Sequence, residues 1–200
     1  MNTKDAIRER RAIKFYDPDF VIPQEDEAQL KDLIRQSPTS FNIQNWRIVT
    51  VKDKEIRQKI REAAWDQAHV TDASLLFIFC GDVKAYCKNP DRYWEDADPA
   101  IQKAIVPKII EFYDHDLQKQ RDEVLRSIGI ASQTLMLAAK SMGYDSCPMI
   151  GFDAVKVADL INLPEDHEIG MMVVVGKRTK DAFKKGGFLP DDEIFFTDAF

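Results

Sequence analysis

An α+β fold is predicted, with a small sheet wrapped by several helices in a single domain covering residues 1–200. Three features predict it. Short apolar runs of strand length occur at Trp46–Val51, Leu75–Cys80 and Met171–Gly176. Segments of helical periodicity separate them, and one long segment, 120–142, is apolar on nearly every side. A chain of 200 residues is long enough to bury a core, and 44% hydrophobic with 31% charged residues suits a soluble globular protein.

The elements follow in order. Residues 2–10 read as a short helix ending in the basic cluster Arg8, Arg10, Arg11 and Lys14. Pro23 opens a second helix, because proline suits a first turn and Gln24, Glu25 and Asp26 suit the positive end of the helix dipole. That helix carries the stripe Leu30, Leu33, Ile34 and stops before Ser37-Pro38, since a residue preceding proline avoids helical angles. Trp46–Val51 is expected as a strand, Lys54–Trp65 as a helix, and Leu75–Cys80 as a fully buried strand closed by Gly81-Asp82. The stretch holding Tyr86, Tyr93 and Trp94 among many charges reads as a surface excursion rather than core. Residues 100–119 read as helix, with a kink or break at Pro107. Helix 120–142 follows, with Ile128, Ala131, Leu135, Ala138, Ala139 and Met142 at helical spacing and Gly143 as its C-cap. A loop over Tyr144–Gly151, a short helix near 153–162, the strand Met171–Gly176 and a strand-like tail at Ile194–Phe196 complete the chain.

Composition and motifs exclude several functions. The net charge of -6 argues against nucleic acid, whose phosphates require a basic face, but leaves room for one basic pocket. No apolar run is long enough to span a bilayer. Met1–Asp5 has no signal-peptide character, and Cys80, Cys87 and Cys147 lack CxxC spacing, so a cytoplasmic protein with reduced thiols is expected. There is no GxGxxG, P-loop or GxSxG motif, and His69, His115 and His167 lack metal-ligand spacing. With no metal and no side-chain nucleophile indicated, a cofactor is left to carry any chemistry.

Two segments look unlike scaffolding. Arg10-Arg11-Ala12-Ile13-Lys14-Phe15 sets three cations within five residues, able to converge on a phosphate, although a solvated basic face is the simpler reading of the cluster alone. Ser37-Pro38-Thr39-Ser40-Phe41-Asn42-Ile43-Gln44-Asn45-Trp46 offers directional polar groups on a proline-stiffened loop before a strand. It could grip a heterocycle edge or a ribityl chain, or be an ordinary helix-to-strand connection.

Taken together, these segments resemble the nitroreductase family, whose N-terminal half reads RRSxRxF followed some twenty-five residues later by APSxxNxQPW. The later order is similar too. A buried strand follows Asp72-Ala73-Ser74, then come a long apolar helix, Cys147-Pro148-Met149-Ile150-Gly151-Phe152-Asp153 (close to the family's PMxGFD) and a Val-rich strand ending in Gly176-Lys177. The resemblance runs over essentially the whole chain. It implies a nitroreductase-like fold with a small central mixed or antiparallel sheet, a long buried central helix and an intertwined homodimer whose FMN sites lie at the interface.

The resemblance also assigns residues. Arg10, Arg11, Ala12 and Lys14 match the FMN-phosphate cluster, with Lys14 toward the flavin's pyrimidine edge as electrostatic support. Pro38, Thr39, Ser40, Asn42 and Gln44 match the loop that reaches the flavin from the partner subunit. Gln67, with a looser match at His69, falls where the family places polar contacts, and Pro148, Met149, Ile150 and Gly151 match the loop beside the flavin ring. The family usually has serine at 12, proline at 45 and a basic residue before Leu189-Pro190, where this chain has Ala12, Asn45 and Phe188. Lys184 or Lys185, with the backbone N–H groups of Gly186 and Gly187, is the candidate replacement for that late basic contact, since glycines allow an anion-holding nest; a plain surface turn is the alternative.

The implied activity is ping-pong transfer of hydride from NAD(P)H to nitroaromatics, quinones or similar small acceptors, with the flavin carrying the chemistry and no catalytic side chain named. The rivals keep FMN but change the reaction to enone reduction, dehalogenation or flavin breakdown, or bind flavin without turnover. The aromatics of 86–113, including Tyr93, Trp94, Phe112 and Tyr113, are candidates for a lid over the acceptor slot.

Overall fold

The computed structural model describes residues 1–200 and contains seven α-helices around a four-stranded sheet. Helix α1 (Thr3–Glu9) starts at Asn2, whose side chain accepts from the Asp5 N–H, and α2 (Gln24–Arg35) starts after Pro23. Strand β1 (Trp46–Thr50) leads to α3 (Lys54–Ala63), capped by Asp53, then to the single turn α4 (His69–Asp72) and strand β2 (Leu75–Asp82). Helices α5 (Pro99–Tyr113) and α6 (Leu117–Ser141) precede β3 (Asp145–Met149), α7 (Ala154–Leu160) and β4 (His167–Gly176).

The strand order is β1-β2-β4-β3, and every pairing is antiparallel. All eight residues of β2 are buried, because it is a central strand with both faces covered. Side-chain alternation divides the core into two layers. Leu75, Phe77 and Phe79 join Leu30, Ile34, Val124, Ile128 and Leu135 on the face under α2 and α6. Leu76, Ile78 and Cys80 join Ile60, Ala63, Val70 and Val157 on the opposite face. Helix α6 buries one broad stripe, from Val124 to Ala139, while Ile130 remains 44% exposed.

Four expectations need correction. The expected loop Tyr144–Gly151 is instead strand β3, which tolerates Pro148 because it lies at a sheet edge where a missing N–H is harmless. The expected strand at Ile194–Phe196 does not form within the chain; only a 3₁₀ turn, Asp191–Glu193, is present, and no strand of the sheet pairs with the tail. Helix α5 runs through the exposed Pro107 and ends at Tyr113, and the break falls at Asp114–Asp116, where His115 takes a φ of 60°. The stretch after Tyr86 is no bare excursion: Tyr86, Tyr93, Ile109 and Tyr113 bury themselves with Ile43 in a third cluster. No helix is long and apolar enough to cross a membrane.

Candidate functional site

A cleft of about 700 Å³ lies where the two ends of the chain meet. Arg8, Arg10, Arg11, Ala12 and Lys14 form one wall, and Phe183, Lys184, Lys185, Gly186, Gly187 and Phe188 form the other. Local pairing explains the meeting. Ala12 makes a parallel bridge to Ser146 on β3, Tyr16 bridges Arg178 just after β4, and an Arg11 guanidinium N–H donates to the Phe183 carbonyl. Gly187 takes a φ of 144°, which a side chain would resist.

Six cations and no carboxylate line this cleft, in a chain of net charge -6. None of the six is ion-paired, although Arg178 close by pairs with Asp145 and Asp181. Leaving cations adjacent and unpaired is unfavourable unless an anion joins them.

The inner end of the cluster carries two orphaned polar atoms. Arg10 Nη1 and His69 Nε2 are buried without a hydrogen-bond partner. Burial, with the Lys14 charge nearby, lowers the His69 pKa to about 4, so the ring is neutral at pH 7. Burial raises the Cys147 thiol, against the opposing pull of Lys14 and Arg10. A buried donor and a buried ring nitrogen without partners, next to unpaired cations, suit a ligand that is anionic at one end and polar and planar at the other. FMN fits that description.

The Pro148–Gly151 segment joins the same region. Gln67 Nε2 donates to the Gly151 carbonyl at 2.9 Å. The Trp65 ring lies over Gly151 so closely that an added Cβ would sit 2.7 Å from it. Trp65 and Asp66 both take left-handed angles, φ 55° and 56°, and Trp65 is 72% exposed. Sequence reasoning placed Arg8 in the basic cluster without giving it a site role, and passed over Trp65 and Phe183. An unsupported tryptophan at the end of a helix was the only available signal for Trp65, and the place of Phe183 is visible only once the chain ends meet.

The loop 38–46 lies elsewhere. Ala12 sits at the β3 edge, opposite Val175 through Ser146, whereas Trp46 sits at the β1 edge, paired with Gly81 and so level with Glu168. That separation is roughly 19 Å across the strands and 20 Å along them. Within one chain the structure does not bring Pro38, Thr39, Ser40, Asn42 or Gln44 to the cleft. Phe41, Asn42 and Gln44 hold φ angles of 51°, 56° and 39°, a concentration of left-handed residues of the kind found at functional loops.

A fold of this kind with an unpaired cationic cleft defines a protein that binds a phosphorylated, planar cofactor. The Nitroreductase family model matches residues 7–177, and the chain belongs to the nitroreductase family. Protein DrgA of Synechocystis sp. is 53% identical over 182 residues, covering 91% of this chain and 87% of that protein. MhqN of Bacillus subtilis, provisionally named an NAD(P)H nitroreductase, is 30% identical over 193 residues, with 91% of each chain covered. A protein of Exiguobacterium sibiricum solved in complex with FMN superposes with a TM-score of 0.91 at 25% identity, over 99% of this chain and 98% of that one.

Proposed function

We propose that the protein is a homodimer that moves hydride from NAD(P)H to nitroaromatics, quinones or similar small acceptors at two FMN sites shared between subunits. As a nitroreductase-family oxidoreductase it uses FMN and NAD(P)H. The observation that carries the site assignment is the cleft of six unpaired cations. Arg10, Arg11, Lys184 and Lys185 would hold the phosphate, with the Gly186 and Gly187 backbone assisting and Ala12 leaving space beside it. Lys14 would set its ammonium at the pyrimidine edge, where negative charge collects on reduction. Gln67, bonded to the Gly151 carbonyl, would hold the Pro148–Gly151 segment beside the ring; Met149 is buried and Ile150 exposed. Bound FMN supplies the centre that accepts and returns hydride; the chain supplies position, charge and exclusion of water. Nicotinamide and acceptor use one slot in turn, which gives ping-pong kinetics.

The dimer reading rests on two features. The flavin-directed loop 38–46 and the cationic cleft lie at opposite corners of one sheet, so only a second copy could bring both to one ligand. The tail also exposes Phe183, Phe188, Leu189, Phe195 and Phe200 at 62% or more, far more apolar surface than an isolated arm should leave in water. Wrapped on a partner, the Ile194–Phe196 run would find the strand edge it lacks in its own chain. We take residues 1–200 as a single FMN-binding domain and place the protein in the cytoplasm, where Cys80, Cys87 and Cys147, all free, would remain reduced. The test is direct. Purified protein should carry about one noncovalent FMN per chain; NAD(P)H should bleach it, and a quinone or nitroarene should restore the colour. Colourless protein that takes up no added FMN would overturn the proposal.

A further inference from the structure

We propose that Trp94 is a positioning residue for the flavin-directed loop, so that the 86–113 segment acts as a brace on that loop rather than as a free lid. The inference rests on the reading that residues 38–46 contact the partner's flavin. Phe41 and Asn42 are both left-handed, an arrangement that non-glycine residues abandon unless something holds them. The peptide between them is held at its oxygen: Trp94 Nε1 donates to the Phe41 carbonyl at 3.0 Å. The next side chain is held as well, since Asn42 Nδ2 donates to the Tyr93 carbonyl at 2.8 Å. Adjacent residues of one 3₁₀ turn, Pro90–Trp94, thus grip adjacent residues of the loop. The Phe41 ring meets Phe112 and Tyr113 edge-on at 5.5 and 6.2 Å, and Ile43 is buried in the same cluster. With its amide nitrogen committed, Asn42 has its carbonyl oxygen engaged only by a long 3.4 Å contact from Gln44 Nε2. The brace therefore fixes which end of the Asn42 amide is presented to a ligand.

The test compares FMN release from the holoenzyme on dilution, followed by flavin fluorescence, in Trp94→Phe, Asn42→Ala and the double variant. Trp94→Phe, which keeps the ring but removes the donor, should weaken FMN binding about fivefold to tenfold, the net worth of one hydrogen bond. Trp94→His, which keeps an N–H, should recover most of that loss. If Trp94 acts through the loop, the double variant should bind no worse than Asn42→Ala alone, because the group being positioned has gone. If Asn42→Ala weakens binding while Trp94→Phe binds normally, or if the two losses add in full, the brace is overturned and the shared site stands. If Asn42→Ala itself binds FMN normally, the loop is not part of the site and the inference falls with that reading.

Discussion

Two clusters of basic side chains in this molecule are handled in opposite ways. Around Asp82, which is 3% exposed, the carboxylate accepts from the Lys84 N–H at 2.9 Å and from Lys88 Nζ at 3.0 Å, with Arg47 at 3.5 Å. Lys88 also pairs with Asp166, which in turn holds His167 Nδ1 at 2.7 Å. In the cleft, Arg8, Arg10, Arg11, Lys14, Lys184 and Lys185 face one another without a carboxylate among them. The first cluster is complete as folded and ties the end of β2 to the start of β4. The second is complete only with an anion. Charge that stabilises the fold is thus separate from charge kept for a ligand, and the two should respond differently to substitution.

The largest effect is expected at Asp82. Asp82→Ala leaves Lys88 with Asp166 alone, takes the carboxylate from Arg47 and strips the Lys84 N–H of its acceptor, and should lower the unfolding free energy by about 3 kcal/mol in a denaturant titration. A loss under ~0.5 kcal/mol would remove the contrast, because the paired cluster would then contribute no more than an ordinary surface ion pair. Next come Arg10→Ala and Lys14→Ala. Each should weaken FMN binding by about 1.5–3 kcal/mol, the worth of one charge-assisted contact, with little change in unfolding once flavin is removed. Unchanged FMN affinity in both variants would make the cleft a solvated basic face.

His69 sharpens the comparison by pH. Its folded pKa, about 4, lies below the ordinary value of 6.5. Between those values the unfolded chain binds a proton that the folded chain does not, so the flavin-free protein loses stability as the pH falls through this window and gains nothing from His69 above it. The loss should be on the order of 1–2 kcal/mol by pH 5 and should be absent in His69→Gln. An identical stability profile in the variant would show that His69 is no more buried in solution than an ordinary histidine.

Periodicity and capping made most of the fold legible. Asp53 before α3 and the unbroken apolar run of β2 mark their elements without tertiary help. Strand β3 was hidden because Cys147-Pro148 has poor strand chemistry, and only its edge position makes Pro148 acceptable. The end of α5 was hidden because Pro107 is the stronger stop signal locally, yet its exposed position lets water replace the missing bond. At the site, the cationic cluster was legible as charge, and Lys184–Gly187 as a candidate second wall. What no local pattern carried was their meeting through the Ala12–Ser146 and Tyr16–Arg178 bridges, or the grip of Trp94 on Phe41. Both are contacts between distant parts of the chain.

The central claim is that one cleft and one loop, from different chains, make each flavin site, and subunit exchange tests it most directly. Arg10→Glu and Asn42→Asp chains are each expected to be inactive as homodimers, since every site in either carries one damaged wall. Mixed, they form heterodimers with one doubly damaged site and one site in which both elements are intact. NAD(P)H-dependent quinone reduction should reappear on mixing and approach about half the native rate per heterodimer. If mass analysis shows that the subunits have exchanged while activity remains absent, each site lies within one chain, and the assignment of residues 38–46 to the partner's flavin is wrong.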